Sequence, residues 1–147
     1  MQKFLLLVAF LILGFFQLYA QKTEPVTNKY IKAYGTHFTE PVKDKKWANE
    51  NGNTYTKARY SEYEGETFVK ITASKDANTL LKYDIKVKKG TLEMRVVNSQ
   101  NEVLFQKSFS KDEKGETEVL FQENQEYKIK FLGQQTAGSY FCQWIEK

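Results

Sequence analysis

Apolar and polar residues alternate along most of the chain from about Tyr55 onward, and the apolar positions are rich in Val, Ile, Tyr and Phe. Because successive side chains of a strand point to opposite faces, this period of two predicts half-buried strands. The clearest segment is residues 80–88. Its inward positions are Leu81, Tyr83, Ile85 and Val87, and its outward positions are Lys82, Asp84, Lys86 and Lys88.

Polar or glycine-containing turns divide this part of the chain into short strands, because glycine reaches positive φ without steric cost. The predicted strands cover residues 55–61, 67–73, 80–88, 91–97, 103–109, 117–121, 127–131 and 139–145. The predicted turns lie at residues 64–65, 89–90, 98–101, 111–115, 122–126 and 133–138. The further inward positions are Val69, Ile71, Ala73, Leu92, Met94, Val96, Val103, Phe105, Thr117, Val119, Phe121, Tyr127, Ile129 and Phe131.

Two segments lie upstream of this regular region. Residues 30–38 are consistent with an opening strand, whereas residues 43–52 are polar and predict a long loop or a single helical turn around Trp47. Turns of two to five residues require antiparallel neighbours. The chain is therefore predicted to be all-β, an antiparallel β-sandwich of about seven to nine strands, with a small β-barrel as the alternative.

The first 20 residues have the pattern of a secretory signal peptide. Lys3 precedes an apolar run over residues 4–16, and Ala20 provides a small residue at the end of the segment. The run is shorter than the roughly 20 apolar residues of a membrane span, although an uncleaved anchor is the alternative. We therefore predict a signal peptide at 1–20, a flexible segment at 21–29 and one β-sandwich domain at 30–147. After cleavage the protein would be secreted or periplasmic, without a stable membrane span.

Cysteine and charge content narrow the function classes. The chain has 147 residues, a single cysteine and a net charge of +4. One cysteine permits no internal disulfide, and there is no Asn-x-Ser/Thr acceptor, which together favour a bacterial exported protein. The charges alternate in sign, as in Lys111-Asp112-Glu113-Lys114, rather than forming the basic cluster that nucleic acids require. Nucleic acid is therefore not an expected partner.

Part of the chain resembles a known group of proteins. The segments are Lys89-Gly90-Thr91-Leu92, residues 98–109, and the closing strand from 126 to Trp144. This pattern resembles small exported bacterial β-sandwich proteins of uncharacterised function over about residues 80–145, although Gln100-Asn101-Glu102 replaces the usual glycine turn. The resemblance implies fold and export, and it carries over no functional residues.

The chain offers few groups for catalysis or metal binding. His37 is the sole histidine and is expected at the surface, whereas Cys142 lies at an alternating strand position and is expected in the core. A structural zinc site needs about four Cys or His ligands, so we predict neither a metal site nor a cofactor. We interpret the carboxylates of Glu62, Glu64 and Glu66 as residues on the solvated face of a strand, and the pair at 116 and 118 in the same way. No catalytic residue is predicted.

Aromatic residues are the unusual feature of the composition. The chain has 11 Phe, nine Tyr and two Trp. Trp47, Tyr55, Tyr60 and Tyr63 cluster where the sequence is otherwise polar, and exposed aromatic rings offer rigid contact area with a polar handle. These four are the predicted ligand-binding candidates, with covering of the core or of a sheet edge as the structural alternative.

The predicted function is an exported, non-enzymatic binding or accessory domain at the bacterial envelope or outside the cell. Its partner would be a protein, a glycan or a small apolar ligand. The enzyme alternative is a glycan-active protein that uses carboxylates between Glu62 and Glu66, and the third alternative is a carrier of a small apolar ligand.

Overall fold

In the computed structural model, which describes residues 25–147, the chain forms seven strands in antiparallel pairs. They are β1 (Ile31–Lys45), β2 (Ala48–Asn51), β3 (Tyr55–Ala73), β4 (Ala77–Asn98), β5 (Val103–Phe109), β6 (Glu113–Phe121) and β7 (Glu126–Glu146). The all-β prediction is confirmed. Within residues 25–147, no helix has the length and apolar character of a membrane span. The predicted signal peptide and residues 21–24 lie outside the described residues.

The sheet is built around three long strands, β3, β7 and β4, which pair along their full lengths. The order is β1-β3-β7-β4-β5, with β2 also on the free edge of β3 and β6 also on the free edge of β4. The outer edge of β3 therefore pairs with β2 along one part of its length and with β1 along the other. The outer edge of β4 pairs with β6 and β5 in the same way. One half of the sheet reads β2-β3-β7-β4-β6 and the other reads β1-β3-β7-β4-β5.

Each long strand bends near its middle, where the register shifts. The shifts lie between Tyr60 and Gly65 in β3 and between Val87 and Thr91 in β4, opposite residues 133–138 of β7. Glycines with positive φ occupy these places, at Gly65 (φ 128°), Gly90 (φ 68°) and Gly138 (φ 151°). An irregularity of this kind bends a strand without ending it. The turns predicted at 64–65, 89–90 and 133–138 are therefore wrong: they are bends within strands.

The bends fold the sheet so that its two halves pack face to face. The rings of Phe131 and Tyr140, on either side of the β7 bend, stack with centroids 3.8 Å apart. Tyr83 of one half contacts Phe109 of the other half at 5.5 Å. We call the half with β2 and β6 the first layer and the half with β1 and β5 the second layer. Two packed layers of antiparallel strands form a β-sandwich, as predicted.

The core follows the predicted alternation. The buried side chains include Val69, Ile71, Leu81, Ile85, Leu92, Met94, Val96, Val119, Phe121, Tyr127, Ile129 and Phe131. Val103 is an exception, since half of its surface is exposed at the start of β5. The register between β4 and β5 shifts between Val96 and Val97, so Val103 lies opposite Val97 rather than on the face that Val96 shares with Phe105.

The polar segment at 43–52 is also corrected by the structure. It forms the end of β1 and all of β2 rather than a loop or a helical turn. Lys45 pairs with Glu62 and Ala48 pairs with Arg59, so β2 continues the register of β1 along β3. Trp47 lies in the short break between the two strands. Backbone pairing to β3 imposes strand structure on a sequence without apolar alternation.

The described end of the segment at 21–29 contacts β7. Asn28 Nδ2 donates a hydrogen bond to the Trp144 carbonyl at 3.0 Å, and Glu146 N donates to Asn28 Oδ1 at 3.1 Å. The Glu146 carboxylate accepts from the backbone N–H of Lys29 at 2.8 Å. These long-range contacts are not visible in the local sequence, and the flexibility of residues 21–29 remains a prediction.

Candidate functional site

The structure separates the four aromatic candidates into two groups. Tyr60 and Tyr63 are 5% and 0% exposed, and Trp47 is partly buried against the same core. Tyr60 and Tyr63 are therefore wrong as surface contacts, and Trp47 serves to cover the core. Tyr60 continues the inward alternation of β3 from Ala58, and a register shift between Tyr60 and Tyr63 turns Tyr63 inward as well.

The buried tyrosines have a structural environment rather than a catalytic one. Tyr63 Oη donates to the Phe131 carbonyl at 2.7 Å, and burial raises the pKa of Tyr63 to about 12. Burial, with smaller contributions from Tyr140 and Tyr63, also raises the pKa of Tyr60. Phenols held this firmly in the neutral form are unsuited to proton transfer near neutral pH.

Tyr55, in contrast, lies on the outer face of the first layer. Its ring stacks on Phe141 with centroids 5.9 Å apart and an interplanar angle of 27°. The Tyr55 hydroxyl hydrogen-bonds Glu50, and Lys57 Nζ lies 2.9 Å from the same carboxylate. These two contacts lower the pKa of Glu50, the tyrosine hydrogen bond most. We call this pair of rings the Tyr55–Phe141 platform.

A groove of about 550 Å³ lies beside Phe141 on the same face. We call it the outer groove. It crosses β2, β3, β7 and β4, and its lining includes Ala48, Asn49, Glu50, Lys57, Arg59, Asp84, Lys86, Ser139 and Phe141. Arg59 lies between Ala48 and Ser139 on the neighbouring strands. The small side chains of Ala48 and Ser139 leave a depression on either side of Arg59.

Larger residues form a row beside this depression. Strand register places Glu50, Lys57, Phe141, Asp84 and Lys114 side by side across five strands. A second groove of about 500 Å³ continues past Phe141 and Asp84 toward β6. The outer face of the first layer therefore offers one continuous surface with an aromatic centre and charged or amide groups on both sides.

Most charges at the outer groove are paired. Asp84 contacts Lys114 at 2.8 Å and Lys86 at 3.7 Å, and Lys86 also contacts Asp112 at 3.3 Å. The backbone N–H of Val87 lowers the pKa of Asp112 most, and the Lys86 side chain lowers it further. Among the described residues, Arg59 forms no ion pair.

The other candidate groups do not converge on a reactive site. His37 is exposed on the second layer and stacks on Phe68 at 5.1 Å, whereas Cys142 is fully buried in the first layer. The core prediction for Cys142 is confirmed, and burial raises its pKa to about 12. Glu62 pairs with Lys45 at 2.9 Å and Glu66 with Lys130 at 3.0 Å. Within residues 25–147, no three His, Cys, Asp or Glu side chains are grouped to hold a metal ion.

No protein-family model matches the chain, and no curated protein matches it in sequence. Several of the solved structures that the chain is similar to are carbohydrate-binding modules. A CBM4 structure matches with a TM-score of 0.46 and 10% identity, over 72% of this chain and 78% of that one. The mannohexaose complex of a family 29 carbohydrate-binding module mutant (TM-score 0.42, 14% identity) matches over 83% and 92%. A family 35 carbohydrate-binding module from Clostridium thermocellum (0.41, 10%) matches over 76% and 95%.

All three TM-scores are below 0.5. The β-sandwich assignment rests on the strand order and on the contacts between the layers. Export and the resemblance to small bacterial β-sandwich proteins remain predictions from the sequence.

Proposed function

We propose that this protein is a non-catalytic glycan-binding domain, and that the glycan lies across the outer groove on the Tyr55–Phe141 platform. The observation that carries the proposal is the placement of stacked aromatic rings beside a groove lined with hydrogen-bonding groups. A sugar ring has an apolar C–H face and a polar hydroxyl rim, so it needs both features at once. Aromatic rings with a few placed polar groups are typical of ligand sites.

The size of the groove fits a polymer better than a small compact ligand. It crosses four adjacent strands, which at about 4.8 Å between neighbours span roughly 14 Å. A surface of this length accommodates a short run of sugar residues. Ser139, which lies opposite Arg59, supplies a neutral hydroxyl for hydrogen bonds to sugar hydroxyls.

The state of the carboxylates supports binding rather than hydrolysis. A glycosidase needs one carboxylic acid whose pKa is raised. At the outer groove the pKa of Glu50 is lowered instead, and Asp84 is held by Lys114 and Lys86. The earlier enzyme candidates Glu62 and Glu66 are also paired with lysines. The carrier alternative has less support than glycan binding. Large aromatic side chains lie between the layers, where a carrier would hold its ligand, whereas the groove for a glycan lies at the surface.

We further propose that the protein acts outside the cytoplasm, secreted or periplasmic, where polysaccharides are available. Its signal peptide at 1–20 would direct export. A glycan ligand outside the cell is consistent with this location.

Affinity electrophoresis of the purified protein through gels containing neutral or acidic polysaccharides tests the proposal. We expect retardation by at least one polysaccharide, reversed by its soluble oligosaccharide. Unchanged mobility in every polysaccharide gel, with the protein folded by circular dichroism, would contradict it.

A further inference from the structure

We infer that the glycan is acidic, and that Arg59 binds the carboxylate of a uronic acid residue. This inference rests on the proposed function and specifies the ligand class of the same groove. Of the three cations that line the outer groove, Arg59 is the one without an ion pair among the described residues, whereas Lys57 and Lys86 are paired with acidic side chains.

Arg59 differs from the other cations of the outer groove. Lys57 lies 2.9 Å from Glu50, and Lys86 contacts both Asp84 and Asp112. Arg59 has no ion pair among the residues that the structure describes, and its cross-strand neighbours Ala48 and Ser139 carry no charge. The groove lining contains three cations and two acidic residues, so one positive charge is left for a ligand.

The side-chain chemistry favours a carboxylate as the anion. The guanidinium group presents a planar fork of N–H donors that matches the two oxygens of a carboxylate. Ser139, opposite Arg59, adds a hydroxyl, and Lys86 lies on the far side of Ser139 in the same register. An anion bound over Ser139 would therefore lie between two cationic side chains.

The position of Arg59 also suits a sugar bound on the aromatic platform. Ser139 and Phe141 are two residues apart on β7 and share its outer face, so they are separated by about 7 Å. Arg59 is opposite Ser139, and Lys57 is opposite Phe141. A uronic acid ring stacked on Phe141 can thus extend its carboxylate toward Arg59 while its hydroxyls remain over the strand row.

The test compares acidic polysaccharides with their own neutral esters. The purified protein is titrated calorimetrically with polygalacturonate and with alginate, and with methyl-esterified pectin and propylene glycol alginate as uncharged counterparts. We expect at least one acid form to bind about tenfold or more tightly than its ester. Arg59→Gln should remove that difference, and Arg59→Lys should restore only part of it.

The matched control is Lys32→Gln, which removes one positive charge from an exposed residue of the second layer. It should leave the preference for the acid form intact. Equal affinity for acid and ester, an equal effect of the Arg59 and Lys32 changes, or preference for dextran sulfate over both uronates would overturn the inference. Binding of a neutral polysaccharide such as mannan alone would refute the acidic ligand and preserve the proposed function, whereas binding of no polysaccharide would refute both.

Discussion

Trp47 stacks on Tyr60 with ring centroids 5.4 Å apart and an interplanar angle of 12°. Trp47 lies at the break between β1 and β2, and the two strands keep the same register along β3 on either side of it. Trp47 also contacts Tyr63 at 5.1 Å. The indole thus covers a cluster of buried tyrosines at the bend of the sheet.

Replacement of Trp47 by alanine should therefore reduce stability rather than ligand affinity. We expect Trp47→Ala to lower the free energy of unfolding by about 2–4 kcal/mol, because it uncovers Tyr60 and Tyr63 at the core. Urea denaturation measures the loss. A midpoint equal to that of the wild type would contradict the assignment of Trp47 to the core. It would again make Trp47 a candidate for ligand contact.

Alkaline pH should destabilise the fold. Burial raises the pKa of Cys142 from 9.0 to about 12, so above pH 9 the unfolded chain loses a proton that the folded chain keeps. The resulting stability is complete below pH 9 and is lost as the pH rises toward 12. Tyr63, whose pKa burial raises from 10.0 to about 12, acts in the same direction above pH 10.

The urea midpoint as a function of pH checks this expectation. In Cys142→Ala, the decline should begin about one pH unit later, where the tyrosines ionise. A wild-type midpoint that stays constant from pH 8 to 11 would show that these groups are accessible to water in the native state.

The bend in β7 should not tolerate a side chain at Gly138. A Cβ there would lie 1.8 Å from the carbonyl oxygen of Lys86, and its φ of 151° is rarely adopted by other residues. We expect Gly138→Ala to cost roughly 3 kcal/mol, because β7 must move away from β4. Gly35→Ala is the control, since nothing lies within 4 Å of its Cβ position. Equal unfolding midpoints for the two variants would contradict this account of the bend.

Much of the fold could be predicted from the alternation of residues, since Leu81, Ile85, Met94 and Ile129 are all buried as expected. The connection between the layers could not. A glycine such as Gly90 with a local break in alternation is equally consistent with a hairpin turn and with a bend inside a strand. Only the pairing of β4 with β7 on both sides of the break distinguishes the two.

The site was less accessible to sequence reasoning. Tyr55 was identified because of its aromatic character, but Phe141 and Arg59 were missed. Phe141 alternates with the buried Tyr140 and Cys142, which marks it as outward, and this was the available signal. Residues from β2, β3, β7 and β4 form the groove, and these strands become neighbours only through long-range pairing.

We propose that the Tyr55–Phe141 platform holds the glycan. Isothermal titration with the polysaccharide that retards the protein, comparing wild type with Phe141→Ala, tests this placement. The control is Tyr34→Ala, which removes an exposed aromatic ring from β1 on the second layer. We predict at least a tenfold loss of affinity, about 1.4 kcal/mol, for Phe141→Ala and no change for Tyr34→Ala, with both variants folded. Wild-type affinity in Phe141→Ala would contradict the account.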